Sequence, residues 1–366
     1  MNLHAKKDGG IYVIAEAGVN HNGSVRLAKN LIDASVDAGA NAVKFQSFRA
    51  AKLVTRNAPK ARYQIETTGT DESQWKMLRA LELSEKDQRN LADYARKRGI
   101  TFLSSPFDLE SLAFLDGELD APMLKIPSGE ITNAPLLLAA ARTGKPLIVS
   151  TGMCTLGDIE TALSVLAFGY TKRGIPNSLA ACAQAYALPK ARRRLQEKIT
   201  ILHCTTQYPA PFSEVNLRAM DTLAAAFDLP VGYSDHTEGI AVSIAAAAKG
   251  ATLIEKHFTM DKSLPGPDHR ASLDPNELAA LVSAVRAVEQ ALGNPVKCPS
   301  ESELGNAPIA RKSLVAAETV RKGQRWTIAN LDAKRPGSGV SPMLYWDLLG
   351  REAERDYQPD EPIDRQ

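Results

Sequence analysis

Along the first three quarters of the chain, short apolar and β-branched runs alternate with longer Ala/Leu-rich stretches, a polar or glycine-containing turn standing between them. The runs are residues 11–15, 42–45, 100–103, 123–126, 146–149, 199–203, 230–233 and 252–256. Near-continuous apolar strands of this length are buried on both faces, which marks a parallel sheet covered by helices. Eight strand–helix units in succession predict an α/β chain folded as a closed (β/α)8 barrel rather than an open doubly wound sheet.

The intervening stretches carry helix signals of their own. Ser24 is placed to cap a helix over 25–38 that stops at Gly39, and Ser84 caps 85–98 with Gly99 at the stop. Asp274-Pro275 opens a helix that runs to Leu292 and ends at Gly293, with Pro at the first helical position. One connection is unusually long: the Ala-rich residues 174–198 precede the sixth strand and have room for an extra surface helix.

After Gly293 the pattern changes. Residues 294–308 are rich in Pro, Ser and Glu without periodicity and read as a linker. Residues 309–366 show short strand-like runs and Gly/Pro turns, a piece small for an independent core and expected to lean on a partner surface. The expected organisation is therefore a barrel over 1–293, a linker over 294–308 and a small domain over 309–366.

Composition adds exclusions. Of 366 residues, 44% are hydrophobic and 23% charged, ordinary globular usage. The formal charge of +2 gives no net field toward nucleic acid or an anionic membrane. The basic run Lys190, Arg192, Arg193, Arg194 reads as a solvated helix face. No apolar h-region stands at the N-terminus and no apolar run reaches spanning length, so a cytoplasmic protein is expected. Four scattered cysteines form no CxxC pair and read as reduced thiols.

A (β/α)8 barrel keeps its active site at the C-terminal ends of the strands, so polar residues there are the informative ones. In chain order these ends present Glu16; Lys44 and Gln46; Ser104-Ser105; Lys125 with Ser128-Gly129-Glu130; Ser150-Thr151-Gly152; Thr205-Thr206-Gln207-Tyr208; Ser234-Asp235-His236; and Glu255-Lys256-His257. Two lysines with several hydroxyl and glycine turns make an anion site, suited to a ligand with phosphate and carboxylate. His236 and His257 lie one βα unit apart, on strands about 4.8 Å from each other, where two imidazoles can share one divalent ion. Two hydrogen-bonded histidines without metal are the plainer alternative. His203 reads as a satisfied barrel residue, His21 as a turn cap or a ligand contact, and His4 as surface. The rigid Pro265-Gly266-Pro267 turn brings Asp268 over the mouth, just ahead of His269.

The strings AEAGVNHNGS, AVKFQSF, SSPFD, KIPSGEITN, STGM, HCTTQYPAP, GYSDHT, EKHFT, PGPDHRAS and KRPGSG resemble, in order and context, the sialic-acid synthase family. The resemblance runs from Ile11 to about Glu361. It implies a TIM barrel followed by a small antifreeze-like (SAF, β-clip) domain, in a domain-swapped homodimer. It further implies condensation of phosphoenolpyruvate with an N-acylated mannosamine-type sugar to a sialic-acid-like nonulosonate, phosphate leaving by C–O cleavage. By that resemblance His236 and His257 hold a divalent metal, Mn2+ preferred and Mg2+ possible. Lys44, Ser105, Lys125, Ser128, Ser150 and Ser234 bind phosphoenolpyruvate, with Lys125 also counted as catalytic. Glu16 and Glu255 manage protons. Gln46, Glu130, Tyr208 and Asp268 line the sugar side, and Arg335 reaches from the partner's small domain toward the N-acyl group.

Two departures stand out. Residues 174–198 exceed the corresponding family connection, and Thr206 stands where sialic-acid-making relatives often carry Asn. With the GEITN and GYSDHT blocks, that turn resembles the legionaminic branch, whose substrate is 2,4-diacetamido-2,4,6-trideoxymannose rather than N-acetylmannosamine; GPDHRAS argues against the pseudaminic branch. Two rival readings remain: a lyase or aldolase using Lys44 or Lys125 as a Schiff base with pyruvate, and a non-catalytic sugar-binding protein.

Overall fold

The computed structural model describes residues 10–69 and 72–364, so His4 and the expectation about the extreme N-terminus lie outside the described residues. The chain forms two compact units, Met1–Gly293 and Asn294–Gln366.

In the first unit the described residues form eight strands: β1 (Tyr12–Gly18), β2 (Ala42–Ser47), β3 (Thr101–Pro106), β4 (Leu124–Ile126), β5 (Leu147–Ser150), β6 (Ile199–Cys204), β7 (Val231–Asp235) and β8 (Leu253–His257). They run in the order β3-β2-β1-β8-β7-β6-β5-β4 with parallel ladders, and β3 lies beside β4 to complete the ring. The expected barrel is there, with several strands running further than their apolar runs suggest. Glu16, Ser105 and His257 therefore sit on strands rather than on the turns after them.

Period-two alternation sorts the side chains. Val13, Ala15, Val43 and Ile254 face outward into the core shared with the helices. Tyr12, Ile14, Ala42, Leu103, Met123, Ile148, Leu202 and Leu253 fill the barrel interior as a separate apolar layer. Above that layer the same inward positions become Glu16 on β1 and Glu255 on β8.

The helices begin and end where capping chemistry says they should. Ser24 Oγ accepts from Leu27 N–H at 3.3 Å to open Val25–Asp37. Ser84 opens Glu85–Arg98, which Gly99 closes in the left-handed region at φ 79°. Asp274 and Glu277 exchange the two hydrogen bonds of a capping box at 2.9 and 2.8 Å.

Three stretches depart from the sequence pattern. Residues 174–198 hold two helices, Leu179–Tyr186 and Pro189–Lys198, rather than one. Their Cys182, Ala185, Ala191 and Leu195 join the main core, while Arg192, Arg193 and Arg194 stay exposed. The stretch read as an aperiodic linker, 294–308, runs into a helix, Glu301–Ala310, that passes its expected end, because Ser300 and Glu303 cap it: the Glu303 carboxylate accepts from Ser300 N–H at 2.8 Å. The connection after β2 carries three short helices, Ala50–Leu53, Arg62–Thr68 and Gln74–Leu81.

In the second unit β9 (Ser313–Ala316) pairs antiparallel with β10 (Leu331–Lys334). Leu314, Val320, Trp326, Leu348, Tyr357 and Ile363 lie in a buried cluster that gives this unit a core of its own. Among the described residues no helix is long and apolar enough to cross a membrane.

Candidate active site

Because every strand points the same way, the inward side chains at the C-terminal ends converge on one cavity of about 350 Å³. It is lined by Glu16, Lys44, Gln46, Ser105, Lys125, Ser128, Glu130, Ser150, Tyr208, Ser234, His236, Glu255, His257 and Asp268. Arg335 belongs to the second unit and is exposed just after β10.

The floor is a ladder of buried opposite charges. Lys44 Nζ lies 2.6 Å from Glu16 and 3.6 Å from Glu255; Lys125 Nζ lies 3.0 Å from the other Glu255 oxygen. Ser234 Oγ donates to Glu255 at 2.8 Å, and Lys44 donates to Ser105 Oγ at 3.1 Å. Burial acts to raise both carboxyl groups, and their neighbours then separate them. Glu255, between two ammonium groups, is held well below the usual carboxylate range. Glu16 is raised, since burial and the Glu255 charge outweigh Lys44. Burial acts to lower both lysines. In Lys44 the charges of Glu16 and Glu255 win and its pKa rises, whereas in Lys125 burial prevails and its pKa falls.

One wall is a set of hydroxyl groups. Gly152 N–H donates to Ser128 Oγ at 3.0 Å, and Ser128 Oγ lies 3.2 Å from Cys204 Sγ. Only glycine fits here, because a Cβ on Gly152 would fall 2.8 Å from Ser128 Oγ. Ser150 Oγ and Thr206 Oγ1 are buried and make no hydrogen bond within the protein. Such groups are costly unless a ligand or water satisfies them.

The opposing element is a pair of imidazoles. His236 Nδ1 donates to the Thr205 carbonyl at 2.6 Å, which makes Nε2 an acceptor, with Ser234 Oγ 3.4 Å away. Its ring centroid lies 5.5 Å from that of His257 and 4.2 Å from that of Tyr208. Burial lowers His236 to about 4 and, with the neighbouring His236, takes His257 well below its ordinary value, so both rings are neutral. His257 Nδ1 is buried without a hydrogen bond, 3.9 Å from Asp268, whose carboxyl burial raises to about 6. Among the described residues no group of three or more His, Cys, Asp or Glu side chains gathers as a metal cage.

Other polar residues of the strand ends face away. Lys256 pairs with Asp235 at 3.1 Å, both fully buried outside the cavity. His203 Nε2 bonds the Val215 carbonyl at 2.7 Å, and His21 Nδ1 accepts from Gly23 N–H at 3.0 Å, capping its own turn. Sequence reading missed the cavity residues of the connection after β2: Leu53, Val54, Tyr63, Gln64, Gln74, Met77, Leu78 and Leu81. The available signal was its length, far beyond an ordinary βα loop.

Buried paired charge, unsatisfied hydroxyls and neutral imidazoles gather at the C-terminal mouth of a (β/α)8 barrel, where enzymes of this fold keep their active sites. Comparison with known proteins is specific: residues 31–297 match the NeuB family and residues 311–365 the SAF domain. The chain belongs to the NeuB family. It is 50% identical to the N,N'-diacetyllegionaminic acid synthase of Campylobacter jejuni, covering 96% of this chain and 98% of that protein. It is 44% identical to the enzyme of the same name from Legionella pneumophila, covering 93% of this chain and 89% of that one. Among solved structures, the N-acetylneuraminic acid (sialic acid) synthetase of Leptospira borgpetersenii superposes with a TM-score of 0.66 at 32% identity, over 82% of this chain and 90% of that chain.

Proposed function

We propose that the barrel mouth condenses phosphoenolpyruvate with an N-acylated mannosamine-type sugar, releasing phosphate and a sialic-acid-like nonulosonate. The observation that carries this reading is the Glu16–Lys44–Glu255–Lys125 ladder standing beside two neutral imidazoles in one cavity. It offers cations for a ligand with two anionic ends, and lone pairs for a Lewis acid. The relatives at 50% and 44% identity favour 2,4-diacetamido-2,4,6-trideoxymannose as the sugar and N,N'-diacetyllegionaminate as the product, over N-acetylmannosamine and N-acetylneuraminate.

The imidazoles fit a divalent ion. His236 has its tautomer fixed by Thr205 and His257 keeps a buried nitrogen without a partner. His236 and His257 would hold the ion, Mn2+ in preference to Mg2+, with positions left for water and substrate. When bound, it supplies polarisation of the sugar's carbonyl oxygen.

The chain's own residues do the rest. Lys44 and Lys125, with Ser105, Ser128, Ser150 and Ser234, hold the phosphate and carboxylate and fix the enolpyruvate plane. Gln46, Glu130, Tyr208 and Asp268 orient the sugar so that its aldehyde carbon faces the enolpyruvate methylene. The methylene carbon forms the new C–C bond, and the carbonyl electron pair moves to oxygen, which takes a proton. Water adds at the former enol carbon and loses a proton. The bond from that carbon to the phosphate oxygen then breaks, its electron pair leaving with phosphate while the new hydroxyl gives up its proton to the leaving phosphate, which yields a keto acid and inorganic phosphate. Glu16, raised by burial, suits proton transfer, while ionised Glu255 keeps the lysines in place. In a domain-swapped dimer, Arg335 of a second copy would approach the N-acyl group.

The test is phosphate release from phosphoenolpyruvate with Mn2+ and either sugar, with and without chelator. Chelator-sensitive release is expected, with higher kcat/KM for the diacetamido sugar. No release with either sugar overturns the synthase reading. The depressed Lys125 leaves room for the Schiff-base alternative. Borohydride inactivation in the presence of pyruvate, with activity indifferent to chelator, would establish that chemistry instead.

A further inference from the structure

The cavity has two unlike sides. The ionic ladder, the hydroxyls and the imidazoles occupy its floor and the ends of β4 to β8. The residues that follow β1 and β2 give it an apolar side: Val19, Leu53, Val54, Met77, Leu78 and Leu81. These are not outliers of the main core. Val19, Met77 and Leu81 are buried in a small cluster of their own with Phe48, and Leu53 and Leu78 pack against it half-buried. Two side-chain amides share this side, Gln74 Nε2 donating to Gln64 Oε1 at 3.3 Å.

We infer that this wall, built by the helical insertion after β2, selects the distal substituents of the sugar. It favours a 6-deoxy sugar with a second acylamino group over one with a hydroxymethyl and a free hydroxyl. The inference rests on the synthase reading and names which residues give that site its sugar preference. The charged floor takes the anionic co-substrate and the imidazoles stand where the aldehyde reacts, so the far end of the sugar is what remains for the apolar side. A C6 methyl and an acetamido methyl gain from contact with Leu53, Met77 and Leu81. A hydroxymethyl group packed against Leu53, Met77 and Leu81 gives up water for aliphatic carbon, which offers its hydroxyl no hydrogen bond. The Gln64–Gln74 pair supplies amide groups of the kind that an acylamino substituent can hydrogen-bond.

Leu53→Asn and Leu78→Asn test this, because both positions are half-buried and the variants keep the buried part of the cluster. Steady-state kinetics with the two sugars should show their kcat/KM ratio, diacetamido-6-deoxy over N-acetylmannosamine, falling about tenfold. KM for phosphoenolpyruvate and the melting temperature should stay near the wild-type values, and Leu53→Met should restore the ratio. If both variants slow the two sugars by the same factor, the wall does not select and the inference is wrong. Wild-type enzyme that turns over neither sugar would bring down the synthase reading itself, a distinct result visible before any variant is made.

Discussion

The two ends of the barrel interior are built by the same strands and obey opposite rules. At the lower level Tyr12, Ile14, Leu103, Met123, Ile148, Leu202 and Leu253 form a closed apolar layer. Two residues further along β1, and again along β8, the inward side chain is a buried glutamate. The lower layer is an ordinary core whose value is stability. The upper one holds four buried charges and hydroxyls without partners, groups whose desolvation works against folding. An arrangement that costs stability at every position is explained by what it does when a ligand arrives.

Substitutions at the two ends should therefore separate activity from stability. The largest effect is expected from Glu16→Gln, which keeps the shape and removes the carboxyl we propose for proton transfer: kcat should fall by about a thousandfold with the melting curve little changed. Near-normal turnover would take Glu16 out of the proton-transfer role. At the other end, Leu202→Ala should lower unfolding stability by about 3 kcal/mol through an unfilled cavity, read by urea denaturation, while KM for phosphoenolpyruvate holds. A large KM change there would erase the distinction between the two ends.

A pH effect of intermediate size comes from the turns beside the mouth. Burial depresses both His21 and His269 to about 4, from an ordinary 6.5. The unfolded chain thus binds more protons between these values, so stability is full above pH 6.5 and drains away as pH falls toward 4. Each group contributes roughly 1–2 kcal/mol of that loss by pH 5.5. In His21→Asn the fall of the urea midpoint between pH 7 and 5.5 should be visibly shallower; an unchanged slope would contradict the assignment. The smallest expected effect is Ser150→Ala. Removing a buried hydroxyl without a partner should leave stability equal or raise it by up to about 1 kcal/mol, while KM for phosphoenolpyruvate rises several-fold. A clear loss of stability would mean that Ser150 is structural.

Much of this was legible in the sequence because barrel chemistry sits where apolar runs end. The runs located the strands, and the polar residues closing them included fourteen that line the cavity. What the pattern could not decide was facing. Glu255, Lys256 and His257 are all polar, yet only the first and third look inward, and Lys256 is absorbed by Asp235 behind the sheet. That choice depends on where each strand actually ends, which the apolar run places a residue or two early. The insertion after β2 escaped notice for a different reason. Met77, Leu78 and Leu81 have the i, i+1, i+4 spacing of an ordinary amphipathic helix, and nothing in that spacing says that the face also lines the mouth. The helix Glu301–Ala310 was hidden by Pro308, a residue that argues against helix unless the capping upstream is strong.

The alternating ladder at the floor has one further consequence. The two lysines and two glutamates, each within 4 Å of an oppositely charged partner, are already paired with one another inside the barrel mouth. A dianion or trianion drifting toward it therefore meets little long-range pull, and the whole chain, at +2, adds little more. Capture becomes an exchange of ion-pair partners at short range, with the incoming oxygens displacing carboxylate from lysine. Association of such a site is governed by fit and by the loosening of internal pairs. Its rate should thus respond only weakly to ionic strength, unlike that of an enzyme which presents bare lysines to its substrate.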